Sequence, residues 1–523
     1  MRWLLALGLI IPVGAGGVAL LEGFDGLYGQ DPFAYFDYAM GPVRSSLLGL
    51  EPLAPFFWPP GYPLLVALVS LVLGPQPLAG QLVSLASGAL VPVSTALLAR
   101  EVWPQTAEPS SPVSGGTVPL PVPLLAGVLV ACTGQLWQSS VVVMADTLGL
   151  AGATVGVWAL ARYGRRAGLR WLLLAAALLA AATMTRWIYG IVGIPCAAYA
   201  LHVAFRHLRT GTALAHAGAA AVVTGGILGP VLVPALLDVL RQGSGFLPFA
   251  GNFQVYRWNP LAAFEHEFVT ADGRLAYALP TGIYYALAPA RWAFFTPILA
   301  PLILPGIWMA VRRRAAAPTL LLLGWVGAVW AFHAGAAYQN FRFTLAFLPP
   351  LAILAAIGAQ GVLAGLLRRR AFPVAVGVVA LGLGLMVAAG IHTTRSLIGF
   401  KNRSLEVVSW TEARTSADAR LVTFDMTSTF RHYSSLPTLE LYDQDPAGLA
   451  VLLEAEEPLY LLVDRVRMEG QWAEDAPGRN TRWLEAGPGL TPLGETHGFT
   501  LYRIGAKSAA NSAAEAARIG VKP

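Results

Sequence analysis

Residues 169–209 read LRWLLLAAALLAAATMTRWIYGIVGIPCAAYALHVAFRHLR, two apolar runs joined by a short turn at residues 185–186. Each run approaches the ~20 apolar residues that a helix needs to cross a bilayer. Arg170 lies at the start of the first run, and Arg206 and Arg209 follow the second. Because basic residues collect at the cytoplasmic ends of spans, the stretch indicates a helical hairpin with both ends in the cytoplasm and its turn outside.

Apolar runs of similar length recur along the chain, and we predict about eleven transmembrane helices. They lie near residues 3–21, 78–99, 118–137, 141–161, 170–185, 187–205, 213–237, 292–311, 318–336, 344–366 and 372–391. The apolar run at 62–74 is too short to cross, so we interpret it as an interfacial or re-entrant helix. The N-terminal run could instead be a secretory signal, but it continues to Leu21, which is long enough to span.

The composition supports a membrane protein. Of 523 residues, 56% are hydrophobic and only 12% are charged, whereas a soluble domain carries about 25% charged residues. The net charge of +6 does not indicate nucleic-acid binding, because the arginines form short clusters between apolar runs. Cys132 and Cys196 both lie inside apolar runs. We therefore expect neither a disulfide nor a thiolate metal site.

The basic clusters also predict the orientation of the spans. If the N-terminus is cytoplasmic, every cluster falls on the cytoplasmic side and the C-terminal region is extracytoplasmic. These clusters are Arg100, Arg162/Arg165/Arg166/Arg170, Arg206/Arg209, Arg312/Arg313/Arg314 and Arg368/Arg369/Arg370. Connections between successive spans then alternate between the two sides of the membrane. This predicts two long outer loops, at residues 22–61 and 238–291, and a cytoplasmic loop rich in Pro, Ser and Gly at 104–117.

After Arg395 the composition becomes that of a soluble domain. The segments ARLVTFD, TLELYD, PLYLLVDRV and GFTLYRI, at 419–425, 438–443, 458–466 and 498–504, are typical of strands. Helical segments are predicted at 405–415, 427–434 and 447–454. We predict an α-helical polytopic membrane domain at 1–394, a small extracytoplasmic α/β domain at 395–505 and a flexible Ala- and Ser-rich tail at 506–523.

The charged residues indicate where chemistry takes place. A transporter usually has charged side chains within its spans, near the bilayer midplane. Here the predicted spans are nearly free of charge, and charged residues gather in the outer loops and turns. This favours a site at the outer interface that a lipid enters from the side. A lipid or solute transporter and a non-catalytic membrane scaffold stay as alternatives.

Four segments carry a resemblance to a known superfamily. They are FDGLYGQDPFAYFDYA at 24–39, PFFWPPGYPLLVALVSLVLG at 55–74, VVVMADTLGL at 141–150 and YQNFRFTLAFLPPLAIL at 338–354. They resemble the first outer loop, the second acidic position and the late Arg-aromatic span entry of GT-C membrane glycosyltransferases. The resemblance is to the family 39-like branch of protein O-mannosyltransferases and lipid A aminoarabinose transferases. It covers roughly the first 390 residues.

The resemblance implies a glycosyltransferase whose active site faces the extracytoplasmic side. Its donor would be a polyprenyl-phosphate sugar with a hexosyl or pentosyl group, and its acceptor a glycan, a lipid or a protein. Membrane lipids are expected partners and nucleic acid is not. Two departures stand out. The soluble domain has no WWDYG-like motif, unlike oligosaccharyltransferases, and Gln30-Asp31 stands where the mannosyltransferases have Asp-Glu.

Because the donor phosphate is already a good leaving group, such a reaction does not strictly require a general acid. It needs a carboxylate to take a proton from the acceptor hydroxyl or amine. Asp31 is the first candidate for this base and Asp146 the second. Each also has a purely structural interpretation. Asp31-Pro32 is typical of a helix N-cap followed by proline at the first helical position, and Asp146 could cap the fourth span.

The donor phosphate needs cationic side chains. Arg186, Arg291 and Arg342 each lie at an outer end of a span, and Arg257 is a weaker candidate. The alternative for each is an interfacial arginine that extends toward water. Tyr35, one turn after Asp31, is predicted to shape the pocket.

Tyr338 is the other tyrosine predicted to contact substrate, with an interfacial aromatic belt as its alternative. We expect no cofactor. The loop triplet Glu265-His266-Glu267 could bind a divalent metal, but it is more typical of a solvated surface, so no metal site is predicted.

Overall fold

The protein is described here by a computed structural model. The structure describes residues 2–54, 56–104, 121–242, 257–312, 316–367, 372–455 and 457–505. Nearly all of the predicted loop at 104–117 and the whole tail at 506–523 lie outside these residues. The chain forms two compact units. The membrane unit contains the chain up to Gly26, Ala34–His266 and Leu279–Leu397, and the α/β unit contains Leu27–Phe33, Glu267–Ala278 and the chain from Ile398 onward.

Helices account for most of the membrane unit. They are α1 Arg2–Leu21, α2 Asp31–Tyr38, α3 Arg44–Gly49, α4 Gly61–Leu73, α5 Pro77–Val102, α6 Val122–Ala131, α7 Gly134–Val141, α8 Asp146–Arg166, α9 Leu169–Thr183, α10 Ile188–His207, α11 Thr210–Gln242, α12 Thr281–Ala286, α13 Thr296–Arg312, α14 Ala316–Ala334, α15 Leu348–Leu367 and α16 Phe372–Glu412. Helix α2 begins at Asp31, in the segment that belongs to the α/β unit. A 3-10 helix at Phe341–Phe347 leads directly into α15.

Seven of the described helices are long and apolar enough to cross a membrane, namely α1, α5, α10, α11, α14, α15 with the turn before it, and α16. Helices α6 and α7 meet the same test as a pair that is bent by 56°, which allows up to eight spans. The chain is thus a polytopic α-helical membrane protein, as its composition predicted. The predicted spans at 141–161, 170–185 and 292–311 correspond to α8, α9 and α13, which are not among these candidates. The number of about eleven spans stays a prediction.

Helices α13 and α15 pack against each other through glycines. A Cβ atom on Gly306 would overlap the carbonyl oxygen of Leu354, and a Cβ atom on Gly358 would overlap that of Leu302. Small residues allow such close backbone approach between membrane helices, where dispersion contacts rather than the hydrophobic effect hold helices together. These two glycines therefore set the crossing of α13 and α15, and α15 is almost fully buried along its first three turns.

The α/β unit contains a five-stranded sheet. Its strands are β3 Arg420–Thr423, β4 Thr438–Glu440, β5 Leu459–Asp464, β6 Leu490–Thr496 and β7 Phe499–Ile504, in the order β4-β3-β5-β7-β6. Strands β4, β3 and β5 are parallel, whereas β7 pairs antiparallel with both β5 and β6. The predicted small α/β fold is therefore confirmed, with β6 as a strand that the sequence did not predict.

Apolar side chains cover both faces of this sheet. Val422 and Leu461 pack into one buried cluster, and their chain neighbours Leu421 and Leu462 pack into another. Successive residues of a strand point to opposite faces, so two hydrophobic layers require helices on both sides. These helices are α17 Thr427–Tyr433, α18 Pro446–Leu453, α19 Arg465–Glu469 and α20 Ala476–Ala486, together with the end of α16, whose Val407 and Val408 pack into the second cluster.

Two further elements differ from the prediction. Helix α16 runs unbroken for 41 residues, so the predicted span at 372–391 and the predicted helix at 405–415 are parts of one helix. No proline interrupts it after Pro373, near its start. The second outer loop contains a β-hairpin, β1 Glu267–Thr270 with β2 Gly273–Ala276. Its turn places Asp272 beside Gly273, which has a φ of +80°, a conformation that glycine adopts at little cost.

Candidate active site

Asp146 is the first residue of α8 and is only 4% exposed. The four residues before it are not helical, so the helix begins later than the predicted span at 141–161. Other chain segments bind this stretch instead: the Val143 N–H donates to the Gly26 carbonyl at 3.0 Å, and Gln81 Nε2 donates to the Val141 carbonyl at 3.0 Å. The helix N-terminus favours a negative charge, which suits the carboxylate of Asp146.

Two arginines converge on this carboxylate. Arg186 Nη1 donates to Asp146 Oδ1 in a close ion pair, and Arg342 Nε lies 3.8 Å from Asp146 Oδ2. Arg342 also directs Nη1 toward Met144 Sδ at 2.9 Å. Both arginine side chains are 20% exposed, whereas the Asp146 side chain is 5% exposed. The carboxylate is therefore enclosed, and both cations keep some access to the surface.

Local structure fixes both arginines. Arg186 follows the C-terminal end of α9, where its N–H donates to the Ala182 carbonyl at 2.8 Å. Arg342 lies in the 3-10 helix, and its N–H donates to the capping side chain of Asn340 at 2.9 Å. The Phe343 ring lies between the two guanidinium groups, 5.5 Å from Arg186 Cζ and 5.6 Å from Arg342 Cζ. Cation–π attraction of this kind helps to hold both cations in place.

The balance of charge in this cluster matters for binding. Asp146 supplies one negative charge, and Arg186 and Arg342 supply two positive charges. The net charge of the trio is therefore +1. Two guanidinium groups on one enclosed carboxylate present several N–H donors, which is an arrangement that can bind a phosphate oxygen.

Arg291 lies near the trio without joining it. Its Nη1 donates to the Tyr284 hydroxyl at 3.2 Å, and its Cζ lies 4.0 Å from the Tyr284 ring and 4.9 Å from the Phe341 ring. Arg291 forms no ion pair with a carboxylate in the described part of the chain. Since Phe341 directly precedes Arg342, Arg291 is a second cation beside the same 3-10 helix.

Asp31 belongs to the α/β unit, whereas Asp146 belongs to the membrane unit. Asp31 is the first residue of α2, in agreement with its predicted position at a helix N-terminus. Burial raises the pKa of the Asp272 carboxyl in the β1–β2 turn, and the charge of Asp31 adds to this rise. The residue before Asp31, Gln30, donates from Nε2 to Asp425 Oδ1 at 2.8 Å.

Comparisons with known proteins agree with this architecture. No protein-family profile matches the chain, and no curated protein sequence matches it. Among solved structures, ArnT from Cupriavidus metallidurans bound to undecaprenyl phosphate is similar, with 14% identity, a TM-score of 0.61 and coverage of 96% of this chain and 98% of that chain. Archaeoglobus fulgidus AglB, an oligosaccharyltransferase in complex with an inhibitory peptide and a dolichol-phosphate, has 14% identity and a TM-score of 0.54 over 96% of this chain and 74% of that chain. The chain has the GT-C fold.

Within this GT-C fold the predicted site residues fall into distinct places. Arg186 and Arg342 lie together around Asp146. Tyr338 is connected to them through Phe343, whose ring centroid is 6.0 Å from that of Tyr338. The roles assigned to these residues stay predictions.

The other two candidates lie in different surroundings. Tyr35 is buried in an aromatic cluster, stacked on Trp58 at 4.9 Å and 5.6 Å from the Tyr62 ring. Arg257 is exposed and has a positive φ of 44°.

Two residues beside the trio were not predicted from the sequence, His333 and Tyr285. His333 is 5% exposed and is stacked between the rings of Tyr285, at 5.2 Å, and Phe343, at 5.0 Å. The Tyr285 hydroxyl donates to the Tyr338 carbonyl and accepts from the Asn340 N–H, both at 3.1 Å. These contacts order the segment that leads to Arg342. A single histidine in an apolar span does not indicate, from the sequence alone, that it packs between two aromatic rings beside these arginines.

Proposed function

We propose that this protein is a membrane glycosyltransferase that uses a polyprenyl-phosphate sugar as donor. The single observation that carries the proposal is the convergence of Arg186 and Arg342 on the enclosed carboxylate of Asp146, in a protein of GT-C fold. Support for the lipid carrier comes from similar structures, one bound to undecaprenyl phosphate and one to dolichol-phosphate.

The two arginines have different roles in this proposal. Arg186 is held by Asp146 and serves as the fixed side of the phosphate site. Arg342 Nε lies 3.8 Å from Asp146 Oδ2, farther than the close Arg186 contact, and Arg342 Nη1 faces the thioether of Met144, which is a weak acceptor. Arg342 is therefore the better donor to an incoming phosphate oxygen. A guanidinium group can hold phosphate with two parallel N–H donors and can stabilise the charge that develops as the sugar departs.

Asp31 is proposed as the general base for the acceptor. Asp146 suits this role less well, because Asp146 Oδ1 already accepts from Arg186 and Asp146 Oδ2 faces Arg342. An Asp146 carboxylate committed in this way organises the arginines instead. Asp31 would take the proton from the acceptor hydroxyl or amine as its oxygen or nitrogen attacks the anomeric carbon. The bond from that carbon to the phosphate oxygen breaks, and polyprenyl phosphate leaves.

The remaining parts of the proposal concern substrates and orientation. We propose transfer of a hexosyl or pentosyl group to a glycan, lipid or protein acceptor at the extracytoplasmic face. The N-terminus would be cytoplasmic and the α/β domain extracytoplasmic, as the arginine clusters indicate. Arg291, Tyr35 and Tyr338 are proposed to contact the donor or the acceptor.

The test uses purified full-length protein with a panel of radiolabelled polyprenyl-phosphate sugars. We expect release of free polyprenyl phosphate with at least one of them, and loss of that release in Arg342→Gln. Arg165→Gln is the matched control, because Arg165 pairs with Glu101 and is 54% exposed. If no sugar donor is bound or consumed by the folded protein, the proposed function is wrong. If donors are bound and moved across vesicles without cleavage, the protein is a transporter.

A further inference from the structure

The segment Leu27–Phe33, which contains Asp31, packs as part of the α/β unit although the sequence places it in the first outer loop. Residues on both sides of Asp31 contact the C-terminal part of that unit. Gln30, directly before it, makes a polar contact, and Phe33, two residues after it, makes an aromatic contact. Asp31 is thus bracketed by two anchors.

The polar anchor is the hydrogen bond from Gln30 to Asp425, and other contacts fix the position of Asp425. Gln30 Nε2 donates to Asp425 Oδ1 at 2.8 Å, and Asp425 Oδ2 forms a close ion pair with Arg467 Nη1. Asp425 follows the carboxyl end of β3 and has a φ of +69°, a conformation that Asp and Asn tolerate better than most side chains. Arg467 follows the carboxyl end of the neighbouring parallel strand β5. Two parallel strands therefore hold the acceptor for Gln30.

The aromatic anchor is buried. Phe33 is 1% exposed, and its ring centroid lies 4.8 Å from that of His432 and 6.2 Å from that of Tyr433. The Tyr433 hydroxyl in turn accepts a hydrogen bond of 2.7 Å from Lys401 Nζ. Helix α17, which carries His432 and Tyr433, and helix α16, which carries Lys401, thereby fix the far side of the segment.

A second outer-loop element packs into the same unit. Gln471 Nε2 donates to the Asp272 carbonyl at 2.6 Å, and the Arg274 N–H donates to the Gln471 carbonyl at 2.9 Å. The β1–β2 turn is therefore tied to the region between α19 and α20. The turn with Asp272 and the segment with Gln30 and Phe33 are thus both held by the C-terminal part of the unit.

We infer that the α/β unit positions Asp31, and that Asp425 is the positioning residue that holds Gln30 and sets where the Asp31 carboxylate lies. The inference rests on the proposed function, in which Asp31 is the general base. It gives the C-terminal domain a direct part in turnover, although the sequence shows no catalytic cluster there. A domain that served only for stability or acceptor access would not need these contacts to keep Asp31 active.

The experiment uses the full-length protein and the variant Gln30→Glu. Gln30 is exposed, so the substitution leaves the buried core untouched, but it places a carboxylate against that of Asp425. We expect faster amide hydrogen exchange in residues 27–33, and a kcat reduced by about 10- to 100-fold, the scale for a displacement of about 1 Å. Undecaprenyl phosphate binding should not change. Gln444→Glu, the same substitution elsewhere in the unit, is the control and should change neither quantity.

The double variant Gln30→Glu with Asp425→Asn restores a complementary pair, since the Asn amide can donate to the new carboxylate. It should recover both the slow exchange and the turnover. Unchanged exchange or unchanged turnover in Gln30→Glu, or failure of the double variant to recover, would overturn the inference. Asp31→Asn separates this result from the proposed function. Full activity in Asp31→Asn would remove Asp31 as the base, whereas the exchange data alone report on how the segment is held.

Discussion

Arg186 and Arg342 contact the same carboxylate but should respond differently to removal of their charge. Arg186 is the close partner of Asp146, and Arg342 is 3.8 Å away. We consider Arg186→Gln and Arg342→Gln, which keep a polar but shorter side chain and remove the positive charge. The first should chiefly reduce stability, and the second should chiefly reduce affinity for the donor phosphate.

The structure sets the size of each effect. Asp146 is 4% exposed, so Arg186→Gln leaves a buried carboxylate without its close counter-ion, which costs about 3–5 kcal/mol of folding free energy. Arg342→Gln leaves the Asp146–Arg186 pair intact and removes a charged hydrogen bond to the phosphate. That bond is worth about 1.5–3 kcal/mol. The corresponding loss of affinity is about 10- to 150-fold.

Both quantities can be measured on detergent-solubilised protein. Native mass spectrometry with undecaprenyl phosphate gives the affinity, and thermal unfolding gives the stability. Arg165→Gln, at an exposed arginine that pairs with Glu101, is the control for loss of an arginine. The reasoning is refuted if Arg342→Gln binds the lipid phosphate as tightly as the control does, or if Arg186→Gln unfolds at the same temperature as the control.

Three further predictions concern single residues. Asp31→Asn should keep the fold and the donor affinity but lose transfer by roughly 100-fold or more, the scale for a general base; full transfer activity would exclude it. Burial and the Asp31 charge raise the pKa of Asp272 above its ordinary 3.8. The contribution of this carboxyl to stability is therefore fully present below pH 3.8, and it is lost as the pH rises through the higher pKa of the folded state. Asp272→Asn should therefore unfold at a higher temperature than wild type at neutral pH and lose that advantage below pH 3.8, whereas equal melting temperatures at neutral pH would contradict this. Gly306→Val should destabilise the protein by about 1–3 kcal/mol through overlap with α15, whereas Gly327→Val, in open space, should be neutral in the same thermal assay.

The parts of the fold that could be predicted from sequence depend on local signals. Apolar length and basic clusters are properties of short windows, so the helical hairpin at 169–209 corresponds to α9 and α10. The alternating and apolar strand patterns after Arg395 are equally local, and four of the five strands of the sheet follow from them. Arg186 and Arg342 could be proposed because a charged residue at an outer span end is visible without any knowledge of packing.

The parts that could not be predicted depend on contacts between distant residues. Residues 142–145 have the composition of a span, but backbone and side-chain bonds from Gly26 and Gln81 hold the start of that stretch out of the helix. The strand β6, with most of its residues exposed, lacks the apolar alternation that marks strands. His333 gains its surroundings from Tyr285 and Phe343 on other elements. No window of sequence contains this information.

The assignment of Leu27–Phe33 to the α/β unit changes how the functional parts of the chain are divided. The predicted boundary at residue 394 places every predicted site residue in the membrane domain. In the structure, the segment with the proposed base packs with the C-terminal sheet, while the proposed phosphate ligands Arg186 and Arg342 pack around Asp146 in the membrane unit. Variants at Asp425 or Gln30 should therefore act on turnover, and variants at the two arginines on donor affinity. Residues without shared partners have nearly additive effects. The two groups of variants should therefore report separately on donor binding and on sugar transfer.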